Sequence, residues 1–481
     1  MKWRIVSQRD AQPNSRLRHK LYFRSPHNRL KASRDFPFPE GFMEHVDTLI
    51  TARWVIPIEP LGRILDRHTV AVSQGRIVAI EPEKQALERF TAKVVIERPN
   101  HVLLPGLVNA HTHAAMTLLR GAAESSSLGN WLTVQVGPLE QRWVDAEYVR
   151  DGTELAMADM LTSGTTCFAD MHLFPEVAAL TASAAKMRAC IGLPILDAPT
   201  LWAQSATEYM EKSLRLHDEY RDDPQITTAF APYSPTVIGD DTLLRVRRAA
   251  DELDLPITMH VNESRSDAAA DGERTVARLE RLGMLSPLLS AVHMVHVDNE
   301  ELDRVAAGGI SITHCPQSNL KLGNGVAPIQ AMRARGINVA LGTDGAASNN
   351  DLSLLDEMRS AALLAAGVAT RSDGAPPNVH QWLHAATLGG AHALGLSEAI
   401  GSLTPGKWAD LCCIDLARPH SQPVYDPAVQ IVYSVSRDQV SDVWVAGRQL
   451  VAQGQLTYLD VADILKRAAR WQERIAAARS T

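Results

Sequence analysis

The 481-residue chain predicts an α/β fold: a (β/α)8 barrel of the TIM type, with a small β-sandwich domain formed from both ends of the chain. Three observations carry this. Short apolar strands alternate with room for helices eight times between residues 103 and 344, and eight βα units in sequence close into a parallel barrel. Strand patterns return on both flanks, from residue 46 and again after residue 404. Histidines and an aspartate stand at the ends of the barrel strands, the side on which such barrels carry their chemistry.

Taken in order, residues 1–42 are basic, with little periodic apolar pattern and no 7–15-residue apolar signal core. They read as a disordered extension, or as the result of a start placed ahead of Met43, with a basic partner-contacting arm as the alternative. "DTLITARWVIPI" and "HTVAVSQGRIVAIEP" read as strands, the second folded back at Ser73-Gln74-Gly75, and "AKVVIERPNHVLLPG" follows. Residues 43–104 thus form the first part of the sandwich. The barrel occupies 105–403, with strands expected at 103–111, 165–171, 188–196, 226–234, 256–261, 290–297, 309–315 and 338–344. Helices such as "DTLLRVRRAADELD" and "PIQAMRARG" fall between them. Residues 404–481 supply the rest of the sandwich through "WADLCCIDLA", "VQIVYSVS" and "VSDVWVAGRQLVAQGQ", then a helix over "VADILKRAARWQERIAAARS".

A hydrophobic content of 45% with 21% charged residues is that of a soluble globular chain. The net charge of −7 argues against nucleic acid as a partner. No apolar run approaches the roughly 20 residues of a membrane span. The five cysteines are scattered, with no C-x-x-C, so a disulfide framework is not expected and the cytoplasm is the default compartment.

"PGLVNAHTHAAMTLLRG" places His111 and His113 at alternate positions of the first barrel strand, facing one side. His260 ends the fifth strand in "ITMHVNES", His293 lies in the sixth, and Asp344 ends the eighth in "LGTDGAASNN". One such histidine alone reads as a satisfied core residue. Four with an aspartate at one rim read as a ligand set for zinc, or for a comparable divalent ion such as iron. His172, His296 and His314 are shifted in the pattern and read as pocket-wall or supporting residues.

These motifs, with "SNLKLGNGVAP", resemble the amidohydrolase superfamily, in its branch of S-adenosylhomocysteine/methylthioadenosine deaminases and triazine chlorohydrolases. The resemblance runs over nearly all of residues 46–455. It implies one divalent metal ion held by His111, His113, His260 and Asp344, with Glu263 shuttling protons and His293 polarising the attacking water. It also implies Asp344 as the base that orients that water. The strand-four motif ends Ala231-Pro232-Tyr233-Ser234, without the lysine that bridges two metals, so one ion is expected. In "SSSLGNWLTVQVGPLEQRW", Trp131 resembles an aromatic wall against a heterocycle and Glu140 the acceptor of ribose hydroxyls. From spacing alone the two read as a core anchor and a solvated charge. Tyr233 stands where adenosine-binding members carry histidine, and Leu193 where homocysteine-accepting members carry arginine. The implied function is metal-dependent hydrolytic deamination of an amino-substituted heterocycle by a homo-oligomer, dimer or tetramer, acting on a small molecule. A 5′-modified adenosine comes first, with Tyr233 and Glu263 against the ring. A triazine or guanine-like ring is the alternative, and a non-catalytic binding barrel is the alternative from another class.

Overall fold

The hairpin turn at Gln74-Gly75 sets the first register. Both residues take positive φ, 50° and 74°, the pairing that matches a two-residue turn to the twist of its strands. In the computed structural model of the chain, strands β1 (Glu44–Val55), β2 (Leu65–Ser73), β3 (Arg76–Pro82) and β4 (Phe90–Pro105) come first. Four more follow near the other end: β13 (Leu411–Asp415), β14 (Val440–Val445), β15 (Arg448–Ala452) and β16 (Gln455–Leu456). The structure describes residues 43–123, 127–267, 272–369 and 376–479. The basic segment 1–42 lies outside them.

The terminal strands join in one mixed sheet, ordered β16-β15-β14-β13-β4-β1-β2-β3. The two ends of the chain meet where β13 pairs antiparallel with β4, Leu411 opposite Pro105 and Asp415 opposite His101. Ile50, Val70, Ile77, Leu103, Leu411 and Trp444 build a core on this sheet, and Val46, Leu49, Ala71 and Phe90 build a smaller one.

The barrel strands are β5 (Leu107–Thr112), β6 (Thr165–Asp170), β7 (Arg188–Ile195), β8 (Ile226–Pro232), β9 (Ile257–Val261), β10 (Leu289–His293), β11 (Ser311–His314) and β12 (Asn338–Leu341). They lie side by side in chain order and pair in parallel. The ring closes at the β12–β5 seam. Asp344 N–H donates to the His111 carbonyl at 3.0 Å. Asn109 accepts from Thr343 N–H at 3.0 Å and donates to its hydroxyl at 2.8 Å. No helix among the described residues is long and apolar enough to cross a membrane, and all five cysteines are free and buried.

Two expectations need correction. The strand expected at 103–111 is two strands, broken at Gly106, where a Cβ would lie 2.1 Å from the Thr166 side chain. Only glycine lets the chain pass from one sheet into the other so close to β6. "VQIVYSVS" is not a strand: Pro427–Tyr433 is a helix. Asp426 caps it, accepting from Ala428 N–H, and Ala428, Ile431 and Val432 are buried. An N-cap followed by proline, with apolar residues at i, i+3 and i+4, overrides the β preference of the branched residues.

Candidate active site

Strand β5 presents His111 and, one residue past its end, His113; their rings meet edge to face at 4.9 Å. Beyond β12 the chain turns through Gly342, where a Cβ would come within 2.9 Å of the His111 Cβ. Lacking that Cβ, the chain brings Asp344, at φ 59°, under both imidazoles. Asp344 Oδ1 lies 3.3 Å from His113 Nε2 and 3.7 Å from His111 Nε2. His260, on β9, brings its Nε2 within 3.2 Å of His111 Nε2. His293 ends β10, its ring 5.5 Å from that of His260. Two sets of three donor atoms within 4.8 Å of one another, His111–His260–His293 and His111–His113–Asp344, share His111.

Fixed partners orient these rings. His113 Nδ1 donates to the Met171 carbonyl and His260 Nδ1 to the Tyr233 carbonyl, the latter at 2.8 Å. The His260 proton is thereby committed to Nδ1, and its Nε2 turns a lone pair inward. The His260–His111 contact then has a bare lone pair on the His260 side, an arrangement that a cation relieves. Electrostatics point the same way. Burial lowers His111 to about 4. Burial opposes a proton on His113 too, but the Asp344 carboxylate outweighs it and raises the ring to about 9. The donor set of imidazole nitrogens and a carboxylate fits one divalent metal ion.

The short helix Pro316–Lys321 and the turn after it support three of these groups. Ser318 donates to Asp344 Oδ2 at 2.6 Å, joined there by Ser348 at 2.8 Å. Asn319 Oδ1 accepts from His293 Nδ1 at 2.8 Å. Asn324 donates to Glu263 Oε1 at 2.9 Å, and Glu263 Oε2 lies 3.7 Å from His293 Nε2. Burial holds the Glu263 carboxyl above the usual carboxylate range, with Asp344 adding to the effect and His293 and Asn324 opposing it. Reading single residues does not pick out Ser318, Asn319 or Asn324. Their signal was the polar "SNLKLGNG" just past a barrel strand.

A cavity of about 650 Å³ opens over the cluster and is lined by Trp131, Glu140, Tyr233, Glu263, His293 and Asp344 among others. The segment carrying Trp131 and Glu140 is helical, with Trp131 in Trp131–Val136 and Glu140 in Gly137–Trp143. Trp131 is buried, and its indole N–H has no partner among the described residues. Tyr233 sets its ring edge to face on His260 at 4.8 Å, and burial, then Glu263, raises its phenol. His172 is on the wall as well, its Nε2 3.3 Å from Glu140 Oε1. His314 is buried outside both donor sets, pushed down to about 3 by burial. Leu193 is buried and off the cavity; its successors Pro194, Ile195 and Leu196 form the wall.

The model of the Amidohydrolase family matches residues 102–450. A 5-methylthioadenosine/S-adenosylhomocysteine deaminase from Teredinibacter turnerae is 43% identical over 438 residues, covering 90% of this chain and 99% of its own. Its counterpart from Saccharophagus degradans is 42% identical over 439 residues, covering 90% and 98%. The crystal structure of an adenosine deaminase from Xanthomonas campestris with bound zinc superposes with a TM-score of 0.89 at 44% identity, over 90% of this chain and 100% of that one. An atrazine chlorohydrolase from Arthrobacter aurescens, complexed with zinc, shares the fold at 24% identity, with a TM-score of 0.83 over 88% and 99%. By family match, sequence identity and fold, the chain belongs to the amidohydrolase family.

Proposed function

We propose that the chain is a zinc-dependent deaminase of a 5′-modified adenosine, releasing ammonia and the inosine derivative, with methylthioadenosine preferred over S-adenosylhomocysteine. That it is a hydrolase of C–N bonds follows from its family and its deaminase relatives. The observation carrying the substrate choice is the cavity wall. No lysine or arginine is among its described lining residues, and Pro194, Ile195, Leu196, Pro199 and Leu201 make one side apolar. A thioether tail gains by burial there, at roughly 25 cal/mol per Å² of apolar surface. A charged amino-acid tail is desolvated without a cation to receive it.

In this reading His111, His113, His260 and Asp344 hold the ion, which when bound brings the proton loss of water to about pH 7. Glu263, its carboxyl raised by burial, takes a proton from the attacking water and gives it to the ring nitrogen beside the amine-bearing carbon, then carries that water's second proton to the amine, which leaves as ammonia. His293, fixed by Asn319, donates or accepts at the attacking water. The Trp131 indole walls the base, and Glu140 accepts from the ribose hydroxyls. Tyr233 closes the ring pocket next to Glu263.

The test follows ammonia release and the loss of adenosine absorbance with the two nucleosides. The expected outcome is conversion of both, with the higher kcat/KM for methylthioadenosine. Turnover of a triazine or guanine-like ring, with neither nucleoside converted, would discard this substrate.

A further inference from the structure

Apart from the clustered histidines, the cavity wall carries one other imidazole, and a carboxylate holds it. His172 stands two residues past β6, on the barrel rim, with its side chain 5% exposed. Its Nε2 lies 3.3 Å from Glu140 Oε1, and its Nδ1 lies 3.3 Å from the Leu173 carbonyl. Both nitrogens thus face acceptors, and an N–H on Nε2 donates to the carboxylate. Glu140 has no other side-chain partner among the described residues. One of its oxygens is occupied by the ring and the other is left for the cavity.

Glu140 itself sits on the seven-residue helix Gly137–Trp143, with its side chain 28% exposed. A glutamate so placed has three free torsions, and fixing them when substrate arrives costs binding energy. A donor already in contact removes part of that cost in advance, because the His172 ring is itself buried and held by its surroundings. With no lysine or arginine among the described lining residues, the imidazole N–H is also the donor that meets the carboxylate in an apolar-walled site.

We propose that His172 is a positioning residue that pins one oxygen of Glu140 so that the other accepts from a sugar hydroxyl, and that the pair thereby selects ribosides over their deoxy analogues. The inference rests on the reading of Glu140 as the ribose acceptor.

The test compares kcat/KM for methylthioadenosine and its 2′,3′-dideoxy analogue, with metal content as a check on the site. The wild-type enzyme is expected to favour the riboside, and Glu140→Ala to lose that preference. His172→Ala should cut the preference about tenfold, the scale of a hydrogen bond to a charged group. The loss should fall on the KM of the riboside, with the dideoxy analogue unaffected. His172→Gln, whose amide can donate to Glu140, should keep most of the preference. A His172→Ala enzyme with the wild-type preference, or one slowed equally on both substrates, overturns the inference while Glu140 stands. A wild-type enzyme indifferent to the hydroxyls, or a Glu140→Ala enzyme that still prefers the riboside, overturns the reading of Glu140 and the inference with it. No turnover of either nucleoside removes the proposed substrate and this inference together.

Discussion

Glu263 places one carboxylate oxygen on Asn324 and the other 3.7 Å from His293, while His111 has its Nε2 in both groups of converging donor atoms. The two residues should therefore fail differently. Glu263→Gln keeps the size and the hydrogen-bonding of the side chain but cannot take a proton. Its metal content should be unchanged and its kcat lower by a factor on the order of 10²–10⁴. His111→Ala removes the donor common to both sets, so on the proposed ligand assignment metal and turnover should disappear together. Elemental analysis beside steady-state kinetics separates the cases. A fully active Glu263→Gln enzyme would move the proton shuttle elsewhere, and a metal-replete His111→Ala protein would break the ligand assignment. These residues were legible in the sequence because a strand or its end fixes where each side chain points. Ser318, Asn319 and Asn324 were not, because what they do depends on which strand ends surround them.

At the scale of elements, the helix Pro316–Lys321 reaches two groups with different work. Ser318 holds Asp344, and Asn319 holds His293. Partners behind a metal site are worth roughly 10–100-fold in affinity or activity. Ser318→Ala should weaken metal retention against a chelator by up to that factor, with Ser348 still holding Asp344 Oδ2. Asn319→Ala should leave metal retention intact and lower kcat by a similar factor, since the ring it orients is assigned to the water. Chelator titration and kinetics on the two variants give the comparison. If both lose metal equally, His293 belongs with the ligands. The sequence marks this segment as polar but does not say that its side chains turn inward.

At the scale of the whole molecule, Arg188 on β7 forms a buried ion pair with Asp410, immediately before β13, through contacts of 2.7 and 3.1 Å. Asp410 also accepts from Ala446 N–H at 2.7 Å, and its carbonyl accepts from Gly106 N–H at 2.9 Å. The pair therefore couples the barrel to the sheet made by the chain ends. Removing one partner strands a buried charge and costs about 3–5 kcal/mol. Arg188→Met should lose that much in urea unfolding, and adding Asp410→Leu should recover part of it. A single variant as stable as the wild type would mean that the junction does not depend on the pair.

Residue pattern alone specifies the barrel, the return of the chain end to the first strands, and the residues that converge at the rim. Each is written in a local period or at a strand end, where backbone geometry alone sets direction. Packing settles what depends on contact between distant segments. It broke the chain at Gly106, because β6 passes too close for a side chain. It made a helix of Pro427–Tyr433, because burial and the Asp426 cap outweigh β propensity. It also set His172 against Glu140, 32 residues away in the chain. That pairing has no local signature, since a histidine meets a particular carboxylate only after the strand beneath it and the helix above it have taken their places.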